Sequence, residues 1–139
     1  MYRGKCYSII KSFCRNDLIS YAELCGDFND IHFDAEYAAK TIFKKPIVHG
    51  MLYGSMFGSL VANNIKHSIY LSQTFDFKKP IFVDESFIAE IKVVDEQKVK
   101  QNLKLILETS IYKNNENNET KVKAVEGIAN VLVLNAGAK

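Results

Sequence analysis

The sequence has few residues that interrupt regular structure or cross-link a chain. Its 139 residues include two prolines, seven glycines and three cysteines, and tryptophan is absent. So little proline and glycine excludes a collagen-like chain and a low-complexity disordered one. The cysteines are odd in number and no two have the C-x-x-C spacing, so we predict neither a disulfide framework nor a zinc site. We therefore expect a reducing, cytoplasmic environment.

Strong charge and long apolar runs are also missing. The formal charge is +2 and is scattered along the chain, whereas a nucleic-acid-binding domain would carry a basic stripe or patch. The N-terminus lacks the apolar core of a signal peptide. The most apolar run, residues 47–62, is shorter than the ~20 residues that a membrane-spanning helix requires. We expect no nucleic-acid partner and no membrane insertion.

What is present is the pattern of one folded α+β domain, residues 1–139, in which apolar residues make up 47% of the chain. Helical spacing predicts a helix over residues 17–25, which Gly26 would end, a helix over residues 35–42, which Asp34 would cap, and a long buried helix from residues 48–50 to about 66. Gly50, Gly54 and Gly58 recur on one face of the long helix, where another backbone could approach closely. Strand patterns cover residues 4–13, 69–79, 86–94, 100–112 and 121–134. Polar turns are expected at residues 95–98 and 114–119, and a loop at residues 27–33. The economical arrangement is a curled antiparallel sheet around the long helix.

The loop holds a carboxylate and an imidazole five residues apart, Asp27 and His32. On a helix or a strand this spacing would point them apart, so they can converge only where the backbone is irregular. Gly26, Asn29 and Asp30 favour such a backbone. Held together, the two groups could share one water for general acid/base chemistry near neutral pH. A simple turn would have the same composition, so the spacing alone leaves both interpretations open.

A second polar position is His49-Gly50, at the predicted start of the long helix. The first N–H groups of a helix have no intrahelical partner, and glycine leaves its amide accessible to a ligand. Such an amide could bind a carbonyl oxygen that gains negative charge during a reaction. His49 could equally be a packed or capping residue. His67, at a polar helix end, is expected on the surface.

These two segments resemble a known family. The sequence GDFNDIH followed by PIVHGMLYGSMFG is similar to the signature of MaoC-like (R)-specific enoyl-CoA hydratases, which have a hot-dog fold. Two separated motifs occur in order, and the likeness extends from about residue 17 to residue 87. The resemblance implies a curled antiparallel sheet wrapped around a long central helix, with short overhanging helices.

The resemblance also implies a reaction, the reversible hydration of a trans-2-enoyl thioester to the (R)-3-hydroxyacyl thioester. Asp27 and His32 would activate water and the Gly50 amide would polarise the thioester carbonyl. Substrate-binding positions would be Asn29, which supports the loop, His49 at the helix entry, Met51 and Tyr53. No metal or redox cofactor is implied, since coenzyme A or an acyl carrier protein would carry the substrate.

Some features depart from the family or leave alternatives open. Asp30 stands where the family usually has proline, and its charge could raise the pKa of Asp27 or His32. A hot-dog acyl-CoA thioesterase, or a non-catalytic domain that binds acyl thioesters, would fit the same residues. An exposed sheet edge predicts a homodimer, and a higher oligomer is compatible with it.

Overall fold

The computed structural model describes residues 1–115 and 121–135. Their helices are α1 (Arg15–Cys25), α2 (Asp30–Phe33), α3 (Ala35–Ala39) and α4 (Gly50–Asn64). Their strands are β1 (Cys6–Lys11), β2 (Ser68–Gln73), β3 (Asp76–Phe77), β4 (Phe87–Val99), β5 (Asn102–Lys113) and β6 (Lys123–Val133). None of the helices in these residues is long and apolar enough to span a membrane.

The strands form one antiparallel sheet in the order β1-β4-β5-β6-β2, and β3 pairs with β6 beyond the end of β2. Along β4 the side chains alternate, as a sheet with one covered face requires. Every second residue is fully buried against the helix: Phe87, Ala89, Ile91 and Val93. The apolar side of α4 packs on this face with Phe57, Leu60 and Val61, each at most 5% exposed. Burying each such side chain contributes roughly 1.5–3 kcal/mol, so the sheet and α4 stabilise each other.

The predicted α+β architecture, a curled sheet around a long helix, is confirmed. Two helix-end predictions are confirmed as well. Gly26 ends α1 with a left-handed φ of 86°, a conformation that glycine adopts without strain. The Asp34 side chain caps α3 by accepting a hydrogen bond from the Tyr37 N–H at 3.0 Å.

Several boundaries differ from the sequence prediction. The expected turn at residues 95–98 is part of β4, which pairs with β5 as far as Val99↔Asn102 and turns at Lys100, where φ is 56°. Arg3 binds Asp95, and three amino-terminal N–H groups bind Glu96, so contacts with the distant N-terminus outweigh the low strand propensity of these charged residues. The expected loop at 114–119 lies mostly outside the described residues.

Two helix predictions were also inaccurate. Residues 30–33 form the short helix α2 instead of a loop, and α3 ends at Ala39 instead of residue 42. In the latter case the Thr41 hydroxyl donates to the Ala38 carbonyl and accepts from the Phe43 N–H. Thr41 therefore offers these backbone groups a turn in place of another helical turn.

The predicted strand 69–79 is interrupted between β2 and β3, which lie on the same edge of β6, and Thr74 in the interruption packs closely against β6. Its N–H donates to the Ile128 carbonyl at 2.9 Å, and its hydroxyl accepts from the Ile128 N–H at 2.8 Å. Gly127 makes this contact possible, because a Cβ at this position would overlap the Thr74 carbonyl. Three residues further along, the Phe77 ring of β3 lies beside Gly50 at the amino-terminal end of α4.

Substituting Gly127 tests the close contact between Thr74 and β6. In Gly127→Ala the new methyl group would meet backbone atoms, which cannot move without breaking the Thr74 hydrogen bonds, so we expect a loss of about 2–3 kcal/mol or more in the free energy of unfolding. Gly58→Ala is the matched control, because a Cβ at position 58 would have no other atom within 4 Å, and it should gain up to about 1 kcal/mol of helix propensity. Urea denaturation measures the free energy of unfolding of both variants, and equal values would contradict the close contact between Thr74 and Gly127.

Candidate functional site

Asp27 and His32 lie next to each other, as the sequence predicted. Their closest atoms, Asp27 Oδ2 and His32 Nε2, are 3.9 Å apart. The left-handed Gly26 turns the chain out of α1, and α2 then turns His32 back toward Asp27. His32 is 8% exposed, whereas the Asp27 side chain is 48% exposed. The pair therefore has one buried member and one member that faces solvent.

Hydrogen bonds fix the orientation of both side chains. His32 Nδ1 lies 2.7 Å from the Ile47 carbonyl oxygen, which can only accept, so Nδ1 carries the hydrogen. Nε2 of the neutral ring then presents its lone pair to Asp27. Asp27 Oδ1 accepts the Asn29 N–H at 3.1 Å, which leaves Oδ2 free to face His32. Asn29 thus supports the loop through its backbone.

The pKa of His32 is lowered from its ordinary value. Burial of the ring has the largest effect, since it disfavours the charged form, and the neighbouring His49 lowers the pKa further. The hydrogen bond to Ile47 and the charge of Asp27 act in the opposite direction. Asp30 is exposed and is not among these causes, so the expected rise in the pKa of His32 is wrong. His32 is held as a neutral base.

The amino-terminal end of α4 borders the same pocket. The Leu52 and Tyr53 N–H groups both bond to the His49 carbonyl, whereas the Gly50 and Met51 N–H groups make no hydrogen bond to any described residue. Glycine at position 50 also allows a close ring contact, since a Cβ there would lie 2.6 Å from Cε1 of Phe77. An amide with an aromatic ring beside it is thus available to a ligand.

Together these groups line an open pocket of about 330 Å³, whose walls include Tyr21, Asp27, His32, Gly50, Met51 and Phe77. Met51 is 56% exposed at the rim. The pocket can place a bound carbonyl at the helix terminus and a water at the Asp27–His32 pair. It is large enough for part of a small organic ligand.

The other predicted substrate-binding residues differ in their access to the pocket. His49 lines it but is only 2% exposed and stacks on His32. Tyr53 is 3% exposed in the core, where it packs on the rings of Phe77 and Phe87 and burial raises its pKa to about 12. Tyr53 lies one turn beyond Gly50 and faces the sheet, so the structure does not bring it into the pocket.

Four pocket residues were not singled out from the sequence: Tyr21, Ile47, Val48 and Phe77. The repeat of Gly50, Gly54 and Gly58 predicted that another backbone approaches one face of the helix, but the approach is made by side-chain rings, Phe77 at Gly50 and Phe75 at Gly54, and by neither at Gly58. The sequence could not say which residue makes the approach, because β3 is brought there by tertiary structure. No local sequence pattern indicated that Tyr21 lines the pocket.

A metal ion is a poor fit to this site. One potential ligand atom from each of Asp27, His32 and His49 lies within 4.8 Å of the others. The two imidazoles, however, are stacked with centroids 3.7 Å apart and planes only 23° apart. Their in-plane lone pairs run nearly parallel and do not converge on one ion at the ~2.0–2.1 Å that imidazole ligands require.

Comparison with known proteins places the chain in a well-defined group. The family model of the MaoC like domain matches residues 7–115. An (R)-specific enoyl-CoA hydratase of Aeromonas caviae is 41% identical over 92 residues, which are 65% of this chain and 69% of that protein. A mitochondrial 3-hydroxyacyl-[acyl-carrier-protein] dehydratase of Arabidopsis thaliana is 30% identical over 123 residues, 88% of this chain and 72% of that protein.

The fold agrees with the sequence matches. A solved structure of an (R)-hydratase from A. caviae, described as involved in PHA biosynthesis, superposes with a TM-score of 0.84 at 35% identity. The superposition covers 94% of this chain and 96% of the other. The hot-dog fold expected from the sequence is therefore confirmed.

The buried neutral His32 predicts a pH dependence of stability. Its folded-state pKa lies below the value of about 6.5 expected in the unfolded chain, so protonation favours unfolding. Its contribution to stability should be complete above pH 6.5 and lost as the pH falls through the folded-state pKa. We expect the free energy of unfolding to decrease from pH 7.5 to 5.5, and His32→Gln to reduce that decrease.

The control is His67→Asn, at an exposed position with a φ of 61°, which should leave the decrease unchanged. An undiminished pH dependence in His32→Gln would contradict the assignment.

Proposed function

The chain belongs to the MaoC-like domain family, and we propose that it catalyses the reversible hydration of a trans-2-enoyl thioester to the (R)-3-hydroxyacyl thioester. The observation that carries the proposal is the arrangement of Asp27 Oδ2 and His32 Nε2, 3.9 Å apart, in the pocket that also contains the free Gly50 amide. The named relatives, a hydratase and a dehydratase, support the same reaction in its two directions.

The Asp27–His32 gap suits a shared water. A distance of 3.9 Å is too long for a direct hydrogen bond, but one water could lie at about 2.8 Å from both atoms. Asp27 Oδ2 and the lone pair of His32 Nε2 are both acceptors, so each can hold one hydrogen of that water and direct its oxygen at C3 of the enoyl group. The pair removes one proton from water as the C3–O bond forms, and delivers one proton to C2. Its protonation state is restored, and H and OH have been added across the double bond.

The Gly50 amide supplies the second requirement. As water adds at C3, electron density moves through C2 to the thioester oxygen, which acquires enolate character. A preorganised N–H at the start of the 15-residue helix α4 stabilises that negative charge, with the helix dipole acting in the same sense. The reaction needs no electron transfer and no Lewis acid, so we propose that no cofactor takes part besides the coenzyme A or carrier-protein arm of the substrate.

We also propose that the active species is a homodimer joined at the β2/β3 edge. Both strands pair only with β6 among the described strands, so their outer backbone groups are available to a second copy. Apolar side chains along this edge are exposed, Ile69 by 46%, Leu71 by 51% and Phe77 by 48%. Phe77 also lines the pocket, so an edge-to-edge dimer would cover one side of the site. The three exposed, unpaired cysteines support a cytoplasmic location.

Exchanging the carboxylate tests the reaction. With crotonyl-CoA as probe, the wild type should remove the enoyl absorbance without releasing thiol, and Asp27→Asn should lower kcat/KM by about 10²–10⁴-fold because the pair can no longer exchange protons. Asp30→Asn, the same change at an exposed carboxylate three residues away, is the matched control and should have little effect. All three proteins should sediment as the same dimer.

Two outcomes would contradict the proposal. Release of free thiol by the wild type would identify a thioesterase, since water would then attack the thioester carbonyl. Binding of crotonyl-CoA without any turnover would identify an acyl-thioester-binding domain.

The role of the Gly50 amide can be separated from that of its missing side chain. Proline is tolerated at the first position of a helix and has no N–H, and His49 already has the ψ of 128° that a residue before proline prefers. Gly50→Ala introduces the same clash with Phe77 but keeps the amide. We expect kcat of Gly50→Pro to fall about 10²–10³-fold below that of Gly50→Ala. Equal steady-state kinetics of the two variants would show that the amide does not act on the substrate.

A further inference from the structure

His49 occupies an unusual position at the start of α4. It is the N-cap residue, where a Ser, Thr, Asp or Asn side chain normally accepts a hydrogen bond from the helix, yet its side chain makes no such bond. The carbonyl of His49 accepts the first helical N–H groups, so the cap is formed by backbone. The imidazole is 2% exposed and is directed to the Asp27 loop instead. The contacts that the His49 imidazole makes with its neighbours must explain why it is buried.

One contact reaches the residue that carries the reactive carboxylate. His49 Nε2 lies 3.0 Å from the backbone carbonyl oxygen of Asp27, which can only accept, so Nε2 carries the hydrogen. His49 Nδ1 is buried and has no hydrogen-bond partner among the described residues. A hydrogen on Nδ1 would be a buried donor without a partner among these residues.

The other contact is with His32. The two imidazoles stack with centroids 3.7 Å apart, and the far side of His49 meets the edge of Tyr21 at 4.9 Å. The stack keeps water off one face of His32. The titratable groups that face His32 are Asp27 and His49, with Tyr21 beyond His49, and the burial to which this packing contributes is the largest cause of the low pKa of His32.

We propose that His49 is a positioning residue for the Asp27–His32 pair. Its hydrogen bond fixes the backbone of Asp27, and its ring keeps His32 desolvated, neutral and oriented with Nε2 toward Asp27. Because the next residue is Gly50, the same side chain also sets the pair relative to the amide that faces the thioester. The catalytic part of this assignment rests on the proposed hydratase function, whereas the effect of His49 on the titration of His32 does not.

Two substitutions separate the hydrogen bond from the ring. His49→Phe keeps an aromatic ring against His32 but removes the donor to Asp27. We expect it to leave the His32 pKa low and to lower kcat by about 10–100-fold with a smaller change in KM, as expected when reacting groups are displaced by a fraction of an ångström. His49→Gln keeps an N–H donor but removes the stacked ring. We expect it to raise the pKa of His32 toward its ordinary value and to move the acid limb of the kcat/KM profile to higher pH.

The readouts are the carbon-13 NMR titration of the His32 ring and the pH profiles of turnover. Val61→Ala truncates a buried side chain in α4 about three turns from His49. It is the control for simple destabilisation and should change neither readout. If both His49 variants resemble Val61→Ala, the proposal is overturned and His49 is a packing residue. If the wild type does not hydrate crotonyl-CoA, the proposed function fails. The NMR titration then still decides whether His49 controls His32.

Discussion

Two crossed hydrogen bonds join the Asp27 loop to the start of α4, and the rest of the site depends on them. His32, on the short helix α2 that follows the Asp27 loop, donates from Nδ1 to the carbonyl of Ile47, just before α4. His49, at the helix start, donates from Nε2 to the carbonyl of Asp27, back in the loop. Each histidine thus binds the backbone of the other's segment, and the two rings stack between these bonds. This arrangement selects the tautomer of both rings and leaves His32 Nε2 as an acceptor facing Asp27.

The chain between β3 and β4 holds the segment before α4 in place. The Val48 N–H bonds to the Ile81 carbonyl, and Ile47 bridges to Phe82, so the approach to α4 is tied to the chain that follows β3. Phe77, on β3, lies against Gly50, and Thr74, three residues earlier, packs closely against Gly127. Gly127, in the middle of a strand, and Gly50, at a helix terminus, are far apart in sequence but both allow the chain around β3 to pack closely. Both are positions where a side chain would exclude another part of the protein.

The parts of this structure that could be predicted are those in which local sequence acts alone. Alternating apolar residues defined β4, small residues at four-residue spacing defined α4, and Gly26 and Asp34 ended or began helices. The loop composition correctly indicated that Asp27 and His32 could meet. The turn near Lys100, the helix at Asp30–Phe33 and the core position of Tyr53 depend on contacts between distant segments. No local pattern states that Phe77 fills the space beside Gly50 or that His49 stacks on His32.

The buried Nδ1 of His49 shows that the geometry of the Asp27–His32 pair determines the residue at this position more than the stability of the fold does. An unpaired polar atom in the interior costs about 1–3 kcal/mol, and an apolar residue of similar shape at this position would avoid the cost. Such a residue could not donate to Asp27, and the carbonyl would lose its partner. Asparagine could cap the helix in the usual way, but it would not cover the ring of His32. Histidine satisfies both contacts at once, so the unpaired atom is accounted for by the geometry of the pair and not by the stability of the fold.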